Sequence, residues 1–397
     1  MKMDFSFNFA RIPNIIFGSG KINELYGIIS NFGRNALIIT GHSSLKSSSK
    51  WDEITAHLKH HSIAFSQASV NNEPTPTLVD NIVNKVREKN IEIVVSIGGG
   101  SVIDTGKAIS AMILKNDSVK NYLEGVGNKI HDGIKIPFIA IPTTSGTGSE
   151  ATKNAVISEI GKKGYKKSLR HNNFVPDYAI IDPELIIRCP PSITAACGMD
   201  AFTQLLEAYV SINNNPITDS LAYSGMKYVK DNLILACSTG ANNIHVRAAM
   251  AYGSLMSGIA LANAGLGVVH GLASAIGAYF SIPHGVVCGT LLAEATKINI
   301  ENLKNQGLNG KLGLRKHAEI GALLMDKYLG QENKIMKYCS YLIKTLEAWT
   351  LSLKIKTLGE YGVREEDIDK ILDKTGLKSN PVKLNRDDIK TILLNRI

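Results

Sequence analysis

Apolar positions in the first half of the chain come in short unbroken runs separated by amphipathic segments. Residues 36–40 (ALIIT) and 91–97 (IEIVVSI) are runs of this kind, rich in Ile, Leu and Val as strands covered on both faces are. The segments near 51–60 and 102–114 carry apolar residues at helical spacing. Strand-like and helical runs in alternation predict a parallel sheet with helices on its faces. The second strand ends in Gly98-Gly99-Gly100, where Ser101 and Asp104 are placed to cap the following helix. Glycines between a strand and a helix N-terminus bare backbone N–H groups to a phosphate. The spacing is not G-x-G-x-x-G, because Ile103 stands at its last glycine. A further strand at 137–142 runs into Thr143-Thr144-Ser145-Gly146-Thr147-Gly148-Ser149-Glu150, a loop of hydroxyls and glycines suited to a polar ligand. Two such loops at strand ends predict a nucleotide crevice. The pattern changes around Asp182-Pro183-Glu184 and Pro190-Pro191, and it is helical from Thr194 onward. The expected organisation is an α/β domain over 1–187 and an all-helical domain over 188–397.

Residues 248–293 contain no Asp, Glu, Lys or Arg. The run is long enough for a membrane span, but Asn263, Gly265, Gly267, His270 and the stretch 281–285 interrupt it, so a helix buried on all sides in a protein core is expected. A buried imidazole must be hydrogen-bonded or must coordinate something. Here two histidines, His270 and His284, are each followed by a glycine, which lets another group approach the backbone closely. Satisfied core histidines and a metal-binding pair are both open readings. Upstream, Asp200 and Gln204 are four apart and share a helix face that Glu207 extends. One carboxylate with two imidazoles makes a divalent-metal triad with an open position.

Composition narrows the partners. The 397 residues are 44% hydrophobic and 20% charged, an ordinary globular balance with room for a large core. A formal charge of +9 is spread along the chain, which fits a lysine-rich surface and an anionic cofactor and excludes a nucleic-acid patch. The five cysteines are scattered, without C-x-x-C, as reduced cytosolic thiols are. Asp4 and Arg11 fall where a signal peptide would need its apolar core, so a cytoplasmic location and no membrane association are expected.

Taken together, GGGSVIDTGKAI at 98–109, IPTTSGTGSEAT at 141–152, PDYAIIDPEL at 176–185, GMDAFTQLLEAYVS at 198–211 and GLGVVHGLASAIGAYFSIPHGVVCGTLL at 265–292 resemble the iron-containing, or group III, alcohol dehydrogenase family. The resemblance covers nearly the whole chain in order. It implies a Rossmann-like dinucleotide-binding α/β domain, an all-helical C-terminal domain of the dehydroquinate synthase-like fold, and a cleft holding NAD or NADP and Fe²⁺ or Zn²⁺. It implies that Gly98, Gly99, Gly100, Ser101 and Asp104 line the pyrophosphate and nicotinamide side, with Thr143, Thr144, Thr147 and Lys166 completing that contact. Asp200, His270 and His284 fall on three of the family's four metal-ligand positions, and Gln204, which replaces the usual histidine at the fourth, offers an amide oxygen as a harder and weaker metal ligand. Ser274 replaces a histidine that many members use to relay the alcohol proton. Many members also carry an Asp after the first strand, where this chain has Gly41-His42-Ser43-Ser44-Leu45-Lys46. Without that carboxylate, Gly41 and Ser43 leave room for a 2′-phosphate, so NADP(H) is expected to be preferred.

The function implied is a metal-assisted alcohol dehydrogenase or aldehyde reductase acting on a small alcohol or aldehyde, with a homodimer as the expected assembly. Glycerol-1-phosphate dehydrogenase, a dehydroquinate synthase-like enzyme and a metal-free nucleotide-binding protein are the alternatives. Arg170 is a candidate for selecting an anionic aldehyde.

Overall fold

The unbroken apolar runs become the interior strands of one sheet. The structure is a computed structural model that describes residues 6–42, 45–330 and 332–397. Contacts divide the chain into an α/β unit, Ala10–Cys189, and a helical unit that includes Pro190–Ile397, a boundary two residues beyond the expected one.

In the α/β unit the strands are β1 (Asn14–Phe17), β2 (Asn35–Gly41), β3 (Ala64–Val70), β4 (Ile93–Gly98), β5 (Phe138–Pro142), β6 (Asn154–Glu159), β7 (Tyr165–Arg170) and β8 (Tyr178–Ile181). Six of them form a parallel sheet in the order β1-β8-β5-β4-β2-β3, and β6 and β7 form a separate antiparallel hairpin. The helices are α1 (Leu25–Phe32), α2 (Ser49–His60), α3 (Pro76–Val86) and α4 (Gly100–Met112). Alternate residues of each strand feed two cores. Leu37, Ile39 and Val94 pack on one face with Val79, Val83 and Ile109, and Ala36, Ile38, Ile93 and Val95 pack on the other with Leu25, Ile29, Ile54 and Leu58. Burial on both faces is why these strands read as continuous apolar runs rather than as alternating ones.

Strand β4 begins at Ile93 rather than at residue 91. Glu92 instead turns its carboxylate to the backbone N–H groups of Arg34 and Asn35, at 2.7 and 2.9 Å. The expected cap of the following helix is not made. Gly99 holds the N-cap position with no side-chain bond, while Asp104 accepts from Ser149 Oγ and from the Val156 N–H at 2.9 Å, tying α4 to the β6–β7 hairpin.

In the helical unit lie α5 (Pro191–Val210), α6 (Pro216–Ala236), α7 (Ile244–Ala264), α8 (Val268–Ile276) and α9 (His284–Asn305). They are followed by α10 (Lys311–Leu324), α11 (Ile335–Ser352), α12 (Ile368–Lys374) and α13 (Arg386–Leu394). Prolines at the first helical position start α5 and α6, and α6 adds an Asn215–Thr218 capping box. The charge-free run is not one buried helix as expected. Its glycines and Pro283 break it into the end of α7, all of α8 and the start of α9. Among the described residues no single helix is long and apolar enough to cross a membrane, and the pair α7 and α8, which reaches that length together, is bent by 98°.

Candidate active site

The nucleotide loops gather at one end of the sheet. The chain runs from β2 outward to β3 and then back to β4 on the other side of β2, so the order reverses between β2 and β4. Ligands of open parallel sheets sit beyond the strand carboxyl ends at such a reversal. Gly41 closes β2 there, beside Gly98, with Thr40 in register with Ile97. The Thr143 loop is the next neighbour: Gly98 pairs with Pro142, and the Thr143 N–H donates to the Gly98 carbonyl at 3.0 Å. The two loops read separately in the sequence are thus adjacent. Two hydroxyls at these strand ends, Thr40 Oγ1 and Ser145 Oγ, are buried without a hydrogen-bond partner, as a polar ligand would require.

Other expected contacts are engaged within the protein. Lys166, on the β7 hairpin strand, pairs with Glu73 at 2.5 Å, Asp104 is held as described, and Thr147 Oγ1 accepts from the Ser149 N–H at 3.3 Å. Ser43 lies outside the described residues. Lys46 Nζ donates to Ser69 Oγ at 2.5 Å near the carboxyl end of β3. Arg170, the candidate anion selector, makes an exposed ion pair with Glu124 at 3.0 Å.

The helical unit builds a second site from α5, α8 and α9. Asp200 and Gln204 face inward from the middle of α5, both buried. His270 lies in the first turn of α8, and His284 is the first residue of α9, just after Pro283. The glycine after each histidine makes room for backbone. A Cβ on Gly271 would sit 2.0 Å from the Gly376 carbonyl oxygen, and one on Gly285 would sit 2.3 Å from the Ala196 carbonyl oxygen. The close approach foreseen at these positions is therefore that of neighbouring main chain, which anchors both histidine-bearing turns.

Asp200 Oδ1 lies 3.3 Å from His270 Nε2 and 3.8 Å from His284 Nε2. Despite these short approaches it makes no hydrogen bond of acceptable angle and is a buried orphan. Cys288, one turn past His284 on α9, brings Sγ to 3.7 Å from both Nε2 atoms. The four donor atoms all lie within 4.8 Å of one another, a set fit for a divalent ion by geometry and by donor chemistry. Gln204 Oε1 instead lies 2.7 Å from Ser257 Oγ on α7. Ser274 Oγ, one turn beyond His270, donates to the His270 carbonyl at 2.8 Å.

Two residues of this site were not assigned a role from sequence. Cys288 is at i+4 from His284, a spacing that could have flagged it. Glu207 was read only as extending the Asp200 face; it is buried and accepts from the Val269 N–H and from His270 Nδ1, both at 2.7 Å. With Nδ1 engaged by Glu207, His270 points Nε2 toward Asp200 and Cys288.

The ionisation pattern follows. Burial opposes charge on His270, but Cys288, Asp200 and Glu207 around it raise its pKa well above the ordinary value. Burial would lift the Asp200 carboxyl, yet His284 and His270 hold it below its usual range. Burial pushes the Cys288 thiol up to about 12. Glu207→Gln should weaken metal retention by roughly 10–100-fold, because an amide cannot accept from both donors and loses the fixed tautomer. Dialysis against a chelator reads this directly, and unchanged retention would mean that packing alone orients His270.

Comparisons with known proteins agree with this arrangement. The sequence model of iron-containing alcohol dehydrogenases matches residues 13–183, and that of the C-terminal part of the same family matches 194–397. The NAD-dependent methanol dehydrogenase of Bacillus methanolicus is 31% identical over 98% of this chain and 100% of its own length. Alcohol dehydrogenase 4 of Schizosaccharomyces pombe is 33% identical over 96% of this chain and 87% of its own. The crystal structure of an archaeal halo-thermophilic alcohol dehydrogenase from a Red Sea brine pool superposes with a TM-score of 0.90 at 26% identity, covering all of both chains. With a reversed parallel sheet ending in glycine and hydroxyl loops, a convergent Asp-His-His cluster and both family patterns laid end to end along it, the chain belongs to the iron-containing alcohol dehydrogenase family.

Proposed function

We propose that the chain interconverts a small alcohol and its aldehyde, RCH₂OH + NAD(P)⁺ ⇌ RCHO + NAD(P)H + H⁺, by hydride transfer to or from the nicotinamide. The convergence of Asp200 Oδ1, His270 Nε2 and His284 Nε2, with the carboxylate oxygen otherwise unsatisfied, carries this reading. A bound Fe²⁺ or Zn²⁺ supplies Lewis-acid polarisation of the substrate oxygen. Asp200, His270 and His284 hold the ion, and Glu207 keeps His270 in its binding tautomer. Ser274 offers a hydroxyl for the departing alcohol proton. On the α/β unit, Gly98, Gly99, Gly100, Ser101, Thr143, Thr144 and Thr147 cradle the dinucleotide, while Asp104 and Lys166 brace the surrounding loops through their protein partners. The family match favours this activity over a dehydroquinate synthase-like or glycerol-1-phosphate reaction, and the donor set favours it over metal-free nucleotide binding.

Gly41 leaves no carboxylate at the end of β2 to repel a 2′-phosphate, and Lys46 is near enough in sequence to attract one, which supports a preference for NADP(H). The Glu124 pair offsets the charge of Arg170, which supports neutral aldehydes as substrates. The five cysteines carry no disulfide, consistent with a reducing cytosol, and a homodimer is the assembly proposed. Absorbance of NADH and NADPH with a panel of small aldehydes tests the reading. Both cofactors should be consumed, with the larger kcat/KM for NADPH. Cofactor binding without turnover of any aldehyde would sink the activity, whereas a clear NADH preference would remove only the cofactor choice.

A further inference from the structure

Gln204 leaves the metal proposed above one protein donor short of four, and α9 supplies a replacement. His284 and Cys288 are one turn apart and project from one helix face. We propose that Cys288 Sγ, as a thiolate, is the fourth protein ligand, giving an Asp-His-His-Cys site that favours Zn²⁺. This rests on the reading that Asp200, His270 and His284 hold a metal.

Geometry supports it first. A tetrahedron with metal–nitrogen bonds of about 2.0 Å and a metal–sulfur bond of about 2.3 Å has edges of roughly 3.3–3.6 Å. The observed separations are 3.3 Å for His270 Nε2 to Asp200 Oδ1, 3.8 Å for His284 Nε2 to the same oxygen, and 3.7 Å from Cys288 Sγ to each imidazole. These four edges are within a few tenths of an ångström of that range, and the other two lie within 4.8 Å. Gln204 Oε1, by contrast, sits against Ser257 Oγ at 2.7 Å.

An unsatisfied atom supports it next. Asp200 Oδ1 is buried without a hydrogen bond although His270 Nε2, His284 Nε2 and Cys288 Sγ all lie within 4.8 Å of it. A dication satisfies all four atoms at once, and two anionic ligands neutralise it. A thiolate is a softer donor than the amide oxygen it displaces, which moves selectivity toward Zn²⁺ and away from Mn²⁺ and Mg²⁺.

X-ray absorption of the zinc-loaded wild type should show one sulfur neighbour at about 2.3 Å. Titration of the metal-stripped protein with Co²⁺ should produce a near-ultraviolet thiolate-to-cobalt charge-transfer band that saturates at one equivalent. Cys288→Ser should lose the band and bind Co²⁺ at least 10–100-fold more weakly, since losing a ligand costs no less than losing a supporting residue. Gln204→Leu should keep the band. A bound ion with no sulfur neighbour, or a band that survives Cys288→Ser, would overturn the proposal while leaving the metal-assisted reading intact. Failure of the wild type to bind either ion stoichiometrically would overturn both. The zinc spectrum needs no variant, so a Cys288→Ser protein that fails to fold does not remove the test.

Discussion

His270→Ala is expected to strip the divalent ion and lower kcat/KM by about 10³-fold or more, roughly 4 kcal/mol of transition-state stabilisation. Three losses coincide at this residue. Nε2 is the nitrogen closest to Asp200 Oδ1, at 3.3 Å, so a donor leaves the centre of the cluster. Glu207 loses its imidazole partner and keeps only the Val269 N–H among the bonds described, which leaves a carboxylate oxygen buried without a donor. Asp200, whose charge is held by His284 and His270 against burial, loses the support of His270. Metal analysis alongside steady-state kinetics decides the matter. Full activity in the His270→Ala protein, or in metal-free wild type, would mean that substrate is polarised by hydrogen bonds alone.

The second large effect is on stability. His317, on α10, is 1% exposed, and its Nδ1 lies 2.7 Å from the Gly313 carbonyl oxygen, which it meets as a neutral donor. Burial pushes its pKa down from 6.5 to about 4, with the neighbouring Lys316 adding to the shift. The folded state therefore binds this proton more weakly than the unfolded chain does. Above pH 6.5 the ring is neutral in both states and nothing is lost. As pH falls from 6.5 toward 4 the unfolded chain takes up the proton first, and stability falls by about 3 kcal/mol. Below about 4 both states are protonated and this contribution stops changing. Urea unfolding of wild type and His317→Asn at pH 7 and pH 4 isolates the effect from other titrating groups. The wild type should lose about 3 kcal/mol more than the variant between those pH values, and equal losses would show that His317 titrates normally.

What could be read without coordinates was chemistry carried by residue type and short spacing. The runs at 36–40 and 91–97 mark strands because a parallel sheet buries both faces, and side chains of either parity must then be apolar. Asp200, His270 and His284 stood out because charged and imidazole groups in apolar surroundings require a partner. The His-Gly pairs announced close approach, although only the fold identified the approaching atoms as the carbonyls of Gly376 and Ala196.

Tertiary structure decided whatever depended on groups distant in sequence. The reversal of strand order between β2 and β4 brings Gly41 beside Gly98, and no local pattern encodes strand order. Glu207 supports a histidine 63 residues away, and Ser257 engages a glutamine 53 residues away, contacts made by packing α5 against α8 and α7. Asp104 looked like a cap because its spacing from Ser101 fitted one, but its donors are Ser149 Oγ and the Val156 N–H of β6, both more than 40 residues away in sequence. Cys288 passed as one of five scattered thiols until α5, α8 and α9 were packed together. A ligand set is a property of where side chains converge, and convergence is produced by packing a whole domain's apolar surface, which no short window of sequence contains.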